Sequence, residues 1–544
     1  MKNFIKQTNR YFSLSLCVGI LLASCTDLEV EPTDSLLDDG FTGIQTAEAA
    51  SSQITAMYND VNGYFGTQAN LYALNEVTTD ALLVPTRGSD WGDNGIWRQL
   101  HQHSWTPEHS YILGVWNEWN GLQLSASEVL DSRSASSSEA IGHASFLRGL
   151  AMFIILDNFG QVPYRDTEAA DPLADPDVLT GEDAVTFIIS DLDNAIANLP
   201  TSSAGDDNFR GTKAAARFLK AKVLLNRHIY NGSGSAASGD MNEIISLVDA
   251  IENDGYELAD DYFDIFVPGG DTETIWYAQT SAGTRIFNTL HYNSTELGGG
   301  GWNGFSTLAE FYDLFEGDAN NNRGLNNGTL SDGQEERRGF VPTEGGIAYD
   351  GSFGTDDNDD GIVDGSNVGF GFLIGQQYGP NGAALEDRGG NPLSFTREFF
   401  SAVDNQPSLV DNNEVTGIRV IKYNPRNGAF ANHIIFFRYS DAYLMKAEAM
   451  LRSGGDPTAM INDLRTTRGA APLGSVTEQD LLDERARELY TEGWRRNDMV
   501  RFGQYTKDWE FKEADAVGDA NRQLFPIPSA QLIRNPNLVQ NPGY

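Results

Sequence analysis

The stretch LLDERARELYTEGWRRNDMVRFG, Leu481 to Gly503, decides how this chain is read. Leu481, Leu482, Ala486, Leu489, Tyr490, Met499 and Val500 recur at three- and four-residue steps, which predicts an amphipathic helix. Between them stand charges of both signs: Glu484, Arg485, Arg487, Glu488, Glu492, Arg495, Arg496, Asp498 and Arg501. Pairing across one turn is expected, Arg485 with Glu488 and Glu492 with Arg496. Glu488 and Glu492 have the chemistry of a general acid and base. Almost every carboxylate here has an arginine within a turn, however, and the structural reading outweighs the catalytic one. The chain then closes with FPIPSAQLIRNPNLVQNPGY, Phe525 to Tyr544. Pro526, Pro528, Pro536 and Pro542 forbid a continuous helix, so this tail is expected to lie extended over a scaffold already built.

The order ER-x-REL-x-x-EG-x-RR-x-D-x-x-RFG, then FPIP, then NPNL-x-QNPGY at the C-terminus, resembles the signature of the SusD/RagB family. The resemblance implies a surface glycan-binding lipoprotein that partners a SusC-like TonB-dependent outer-membrane transporter. It implies an oligo- or polysaccharide ligand without saying which, and no catalysis.

Composition narrows the partners. Lys and Arg number 37 against 77 Asp and Glu, a net charge of −40, while 40% hydrophobic and 11% aromatic residues are ample for a core. Nucleic acid is excluded, because phosphate contacts need clustered cations. Polyanionic glycans are disfavoured for the same reason unless a local basic pocket overrides the net charge. Neutral sugars carry no such penalty.

The N-terminus reads as a targeting segment. Lys2, Lys6 and Arg10 precede an apolar run, Tyr11 to Leu22, too short to span a bilayer convincingly. Leu22-Ala23-Ser24-Cys25 resembles a bacterial lipobox, with Cys25 lipidated and Cys17 discarded, so the mature chain is expected to be anchored rather than spanning. Residues 1–24 are then the signal peptide and 25–40 an acidic tether. By resemblance, that acidic stretch implies export to the outer membrane's exterior face.

The fold class expected is mainly α. Helices are predicted over 46–63, 70–83, 110–132, 139–159, 182–199, 213–229, 242–253, 441–453 and 457–467. Small residues recur where helices would approach closely: Ala144, Gly149 and Ala151, then Ala214, Ala215, Ala216 and Ala221, then Ala442, Ala447 and Ala449. That pattern suggests tetratricopeptide-like helix pairs, although the full consensus is absent. The expected divisions are a helical scaffold over 41–270, a loop-rich region over 271–432 and a closing segment of helix pairs and tail over 433–544. Within the middle region, TIWYAQT at Thr274, RIFNTLHYN at Arg285 and IRVIKYN at Ile418 read as short strands, and only Phe305 to Phe315 reads as helix. So long an irregular stretch inside a folded chain is usually functional.

Two tryptophan loops carry the binding chemistry. One is Arg87-Gly88-Ser89-Asp90-Trp91-Gly92-Asp93-Asn94, the other Gly298-Gly299-Gly300-Gly301-Trp302-Asn303-Gly304. An indole covers the apolar face of a pyranose, and Asp, Asn and Arg satisfy its hydroxyls. Covering about 60 Å² of sugar face at ~25 cal/mol/Å² gives ~1.5 kcal/mol per ring. Trp91 and Trp302 are therefore the expected platforms, with Arg87, Asp90, Asp93, Asn94 and Asn303 as hydroxyl partners. Trp97 is a weaker candidate, because Ile96 and Leu100 beside it look like core. A neutral glucan, such as a laminarin-type β-glucan, fits flat indole faces best.

Other motifs weigh less. Gly299-x-Gly301-x-x-Gly304 lacks the strand–helix context of a dinucleotide site. Asp356-x-Asn358-x-Asp360-Gly361-x-x-Asp364 resembles a calcium loop, but Asn367 stands where a bidentate glutamate belongs. A bound ion there would be structural, and no catalytic cofactor is expected. His101, His103 and His109 offer too few converging ligands for zinc. No G-x-S-x-G elbow, P-loop or HExxH occurs. A glycoside hydrolase of the same surface system, and a structural lid that binds nothing, remain the competing classes.

Overall fold

Residues 41–169, 171, 174–293, 301–318, 325–326, 329–330, 335–341, 344, 369–379, 383–423 and 431–544 are described by a computed structural model. Cys25 and the calcium-like set Asp356, Asn358, Asp360 and Asp364 lie outside the described residues.

The protein is mainly α. Its first half runs α1 (Ala47–Gly66), α2 (Asn70–Glu76), α3 (Ile96–Gln102), α4 (Ser110–Leu130), α5 (Ser138–Phe159), α6 (Gly181–Asn198), α7 (Lys213–Tyr230) and α8 (Ser238–Asn253). From α4 to α8 each helix packs on the next, and α8 packs on α11 (Tyr439–Arg452), far along the chain. Side-chain caps fix three helix starts: Thr46 on α1, Ser137 on α5 and Thr212 on α7 each accept the backbone N–H three residues on. Close approach follows from the small residues. A Cβ on Gly149 of α5 would lie 3.1 Å from Leu192 of α6, and Ala214, Ala215, Ala216 and Ala221 are fully buried. Helix α5 is apolar and long enough to cross a membrane, but nearly all its residues are buried in the body.

The remaining helices are α9 (Gly283–Thr289), α10 (Ala309–Tyr312), α12 (Thr458–Thr467), α13 (Glu478–Leu489), α14 (Arg495–Arg501) and α15 (Ser529–Arg534). Strands are short and scattered. β1 (Gln161–Tyr164) pairs with β2 (Asp177–Thr180), and β3 (Thr274–Ala278) with the distant β11 (Ile434–Arg438). β4 (Leu325–Asn326) pairs with β5 (Thr329–Leu330), and β6 (Gly339–Phe340) with β7 (Phe370–Leu373). β8 (Gly375–Gln376) pairs with β9 (Ser394–Phe395), and β7 also with β10 (Arg419–Ile421). The antiparallel β3–β11 pair stitches the start of the loop-rich region to the closing segment.

Several sequence expectations change. The helix from Asn70 stops at Glu76, and Phe305 to Phe315 yields only the single turn α10. RIFNTLHYN is helical at its start, as part of α9. Ile286 and Leu290, four apart, both turn inward, which the alternation had hidden. The expected helix from Leu481 is two helices, because Thr491 (φ 60) and Gly493 (φ 86) take left-handed backbone between α13 and α14. The tail is extended except for α15.

The charges of that stretch are interior, and most of them reach across the molecule, although Arg487–Glu484 and Arg501–Asp498 pair along their helices. Arg438 donates to Glu492 Oε2 (2.8 Å), Glu488 Oε1 (2.8 Å) and Glu273 Oε2 (2.9 Å). Arg468 donates to Glu273 Oε1 (2.6 Å), and Arg337 to Glu484 Oε1 (2.6 Å). Arg485, expected on Glu488, instead joins Asp441 (2.7 Å) and Asp498 (2.9 Å). Arg496, expected on Glu492, meets Asp157 on α5 (2.8 Å). Arg495 forms a two-pronged pair with Asp80 (2.7 and 2.6 Å), and Arg501 pairs with Glu448 (2.8 Å) and Asp498 (2.7 Å).

Glu488 is fully buried among three arginines. Burial opposes its charge, but Arg468, Arg438 and Arg337 outweigh that and hold its carboxyl well below the usual range. The tail closes over the same region. Phe525 N–H donates to Asn158 O (2.8 Å), Asn541 Nδ2 to Phe159 O (2.9 Å), and Trp105 Nε1 to the Tyr544 hydroxyl (2.7 Å).

Candidate tryptophan-loop binding site

The two tryptophan loops, 211 residues apart in sequence, meet: Trp91 Nε1 donates to Trp302 O at 2.7 Å. Each loop is built by a different device. Arg87 and Asp90 exchange backbone hydrogen bonds (3.0 and 2.9 Å) around Gly88 (φ 56), a tight hairpin turn. Trp91 follows with φ 61, a left-handed conformation rare for a bulky side chain. Its ring lies directly over Gly304, where a Cβ would come within 2.4 Å of the indole. A strained aromatic held over a glycine is a feature found at ligand sites.

The second loop is strapped to the end of α9. Gly301 N–H donates to His291 O (2.9 Å), Trp302 N–H to Phe287 O (2.8 Å), Asn303 N–H to Leu290 O (2.8 Å) and Phe305 N–H to Asn288 O (3.0 Å). A rigid backbone thus presents Trp302, which is 52% exposed and the most exposed aromatic among the described residues. Phe287 supports it edge-on with ring centroids 5.7 Å apart.

Three residues expected to touch sugar are interior instead. Arg87 is 4% exposed and all its nitrogens are engaged. Nε donates to Asn303 O (2.6 Å), Nη1 to Asn413 O (2.7 Å), and Nη2 to Ser306 Oγ (3.0 Å) and Thr416 O (2.9 Å). Asn303 is fully buried (φ 55), its Oδ1 accepting from Arg419 Nη2 (2.7 Å) and its Nδ2 donating to Glu414 O (2.8 Å). Arg87 and Asn303 therefore set the position of Trp302 and present nothing to solvent. Trp97, at 2% exposure, packs against Trp91, Phe305 and Tyr111 and donates to Asp93 Oδ2 (3.1 Å).

Asp90, half-buried, and Asp93 and Asn94, both exposed, remain at the surface beside Trp91. The structure adds two neighbours that sequence reasoning missed. Tyr292 donates its hydroxyl to Asp90 Oδ2 (2.6 Å), and the Arg388 guanidinium stacks 3.6 Å from the Tyr292 ring centroid. Burial, with the Asp90 carboxylate, pushes the Tyr292 phenol up, so it stays a donor at neutral pH. Arg388 Nε donates to Glu414 (2.5 Å), which His291 Nε2 also contacts (3.2 Å). Burial and the nearby Arg419 hold His291 down to about 4, so it is neutral and its Nδ1 accepts from Asn293 N–H (3.1 Å). Tyr292 lay inside a stretch read as an ordinary strand, and no spacing in the sequence links it to Asp90.

The surface formed is a half-exposed indole, a second indole edge, a tyrosine and Asp, Asn and Arg groups. Aromatic faces with directional polar groups suit a ring that is apolar on its faces and polar at its rim. The histidines form no rival site. His101 and His103 Nε2 donate to Glu510 O (2.9 Å) and Thr78 O (2.8 Å), and His109 Nε2 to Ile96 O (3.1 Å). Among the described residues no three His, Cys, Asp or Glu side chains gather as a metal site.

Comparison with known proteins agrees with this architecture. Residues 33–225 match a family described as starch-binding, associating with the outer membrane, and residues 272–544 match the SusD family. The chain is 25% identical to the starch-binding protein SusD of Bacteroides thetaiotaomicron, covering 99% of each. A solved SusD-like protein of Bacteroides fragilis superposes with TM-score 0.66 at 19% identity, covering 94% of this chain and 100% of that one. Surface glycan-binding protein A of Bacteroides thetaiotaomicron, solved with laminarihexaose, gives TM-score 0.60 at 18% identity, covering 91% and 99%. With half of its length matched by the family's own model and its closing signature in place, this chain belongs to the SusD family.

Proposed function

We propose that the protein is a cell-surface glycan-binding protein, anchored to the outer membrane through lipid on Cys25, that captures a neutral glucan and passes it to a SusC-like TonB-dependent transporter. The observation that carries this reading is Trp302. Its indole is 52% exposed on a loop whose backbone is held by α9 and Arg87, with Arg419 holding the Asn303 side chain. Building such an exposed ring rigidly avoids part of the ordering cost of binding. Trp91 and Tyr292 flank it, with Asp90, Asp93, Asn94 and Arg388 as hydroxyl partners. Relatives that bind starch or laminarihexaose support a glucan. Catalysis is not part of the proposal. The carboxylates of the closing segment are sealed in ion pairs, and the site's Asp90 and Glu414 are occupied by Tyr292, Arg388 and His291.

Titration of the purified protein with laminarihexaose and with maltohexaose tests this. Binding of at least one in the micromolar to millimolar range, with no new reducing ends on incubation, is expected. Binding of neither overturns the proposal, and release of new reducing ends favours the hydrolase.

A further inference from the structure

A second cleft, of about 270 Å³, shares no residue with the tryptophan pair. It opens between α4, Pro163 and Arg165 at the end of β1, Pro176 just before β2, and the closing tail. Its lining includes Arg165 and Arg534 and not one carboxylate. In a chain of net charge −40 that is the reverse of expectation. Two open surface clefts of comparable size do follow the composition, one lined by Asp206, Asp207 and Asp271, another by Glu252, Glu257 and Asp463, whereas a much smaller one beside His291 and Arg419 also lacks carboxylates.

Many polar groups of this cleft bond one another, as Ser127 Oγ does to Gln123 O (2.9 Å) and Asn535 Nδ2 to Pro176 O (3.1 Å), but a few are left open to a ligand. Arg534 is exposed, and its guanidinium has no protein partner among the described residues. Arg165 is held in place, Nη1 donating to Ala174 O (2.8 Å). Gln123 gives its amide N–H groups to Asn120 Oδ1 (3.1 Å) and Pro163 O. Gln531 gives one of its own to Asn117 Oδ1 (2.9 Å). These bonds fix both amides and leave each Oε1 free to accept. Leu124, 38% exposed, and Leu538 add an apolar wall.

A fixed acceptor on each side, a free guanidinium and an apolar wall match a hydroxylated ring that carries an anion. The volume is somewhat below the roughly 300–1,000 Å³ of sites for drug-sized molecules, room for one or two sugar rings. We infer that this cleft binds an acidic saccharide, its uronate carboxylate on Arg534 and its ring hydroxyls on the Gln123 and Gln531 carbonyls. It is the local basic pocket that the overall charge would otherwise argue against, and it would let one surface protein hold neutral and acidic sugars at separate places.

The test titrates the purified full-length protein with trigalacturonate and with its carboxyl-reduced counterpart, following saturation-transfer NMR. Trigalacturonate should bind at millimolar level. Arg534→Gln should weaken it about tenfold, and the reduced trisaccharide should bind about tenfold more weakly to the unaltered protein. Trp302→Ala should leave trigalacturonate binding unchanged, which separates this cleft from the glucan site. Absence of binding, equal binding of the two trisaccharides, insensitivity to Arg534→Gln, or loss in Trp302→Ala would each overturn the inference. Arg534 is exposed, so its replacement leaves the fold intact, and circular dichroism of the variant verifies this.

Discussion

The closing segment and the tryptophan loops both concentrate residues that could do chemistry, and they handle them in opposite ways. In the closing segment Glu484, Glu488, Arg485 and Arg468 are fully buried, and each charge finds its counter-charge on a distant part of the chain. In the loops the charged framework is hidden below, as Arg87 and Arg419, while Trp302 stands in solvent. Buried ion pairs are weak evidence for net stability, because desolvation offsets their attraction, but removing one partner leaves an uncompensated charge. The first region should therefore be sensitive in stability and silent in binding, and the second the reverse.

The largest effect that would break this contrast is expected at Glu488. Glu488→Ala removes a buried carboxylate shared by Arg438, Arg468 and Arg337, leaving one positive charge in excess in the interior, and a loss of ~3–5 kcal/mol should appear in urea unfolding. Near-native stability would mean that the buried network is slack.

Next comes pH. Burial raises the Glu76 carboxyl to about 8, despite the Gly493 N–H it accepts. Because its folded value lies above the unfolded 4.5, its contribution is fully present below pH 4.5 and is lost as pH rises through about 8. Glu484 and Glu448 shift the other way. Burial opposes charge, but Arg337, Arg487 and Arg465 bring Glu484 to about 2, and Arg501 and Arg452 do the same for Glu448. Their contribution is present above pH 4.5 and lost as pH falls through about 2. The Glu76 share of stability should decline between pH 4.5 and about 8, while the buried His101, His143, His228 and His291, each held down to about 4, add stability as pH rises from about 4 to 6.5. In Glu76→Gln the decline should flatten, with a gain of roughly 2 kcal/mol at pH 8. An unchanged Tm profile would show that Glu76 keeps its charge.

A smaller effect sharpens the other side. Gly304→Ala places a methyl within 2.4 Å of the Trp91 ring. Glucan affinity should fall about three- to tenfold, equal to ~0.7–1.4 kcal/mol, because Trp91 must move. Unaltered affinity would remove Trp91 from the site.

Much of the helical frame was legible because it rests on local periodicity and on small residues such as Ala215 and Gly149, which are local signals. The break at Thr491 and Gly493 was not, since a threonine at φ 60 runs against its local preference and no residue spacing announces it. The same holds for partners of the arginines. Arg485 and Arg496 have carboxylates one turn away, and only the folded chain brings Asp441, Asp498 and Asp157 closer in the right geometry. At the site, glycines around Trp302 did signal a projecting ring. The residue types Arg87 and Asn303 suggested sugar contact because they are hydrogen-bonding groups, and that property equally lets them brace a loop from beneath. Tyr292 was missed because its partner Asp90 is 202 residues away.

The most direct test measures Tm and glucan affinity together in Trp302→Ala. Losing one stacked ring should cost about tenfold or more in affinity for the glucan that binds the unaltered protein, with stability changed by no more than ~0.5 kcal/mol, as for a surface substitution. Unchanged affinity would contradict the account, and so would a loss of affinity accompanied by a collapse of Tm.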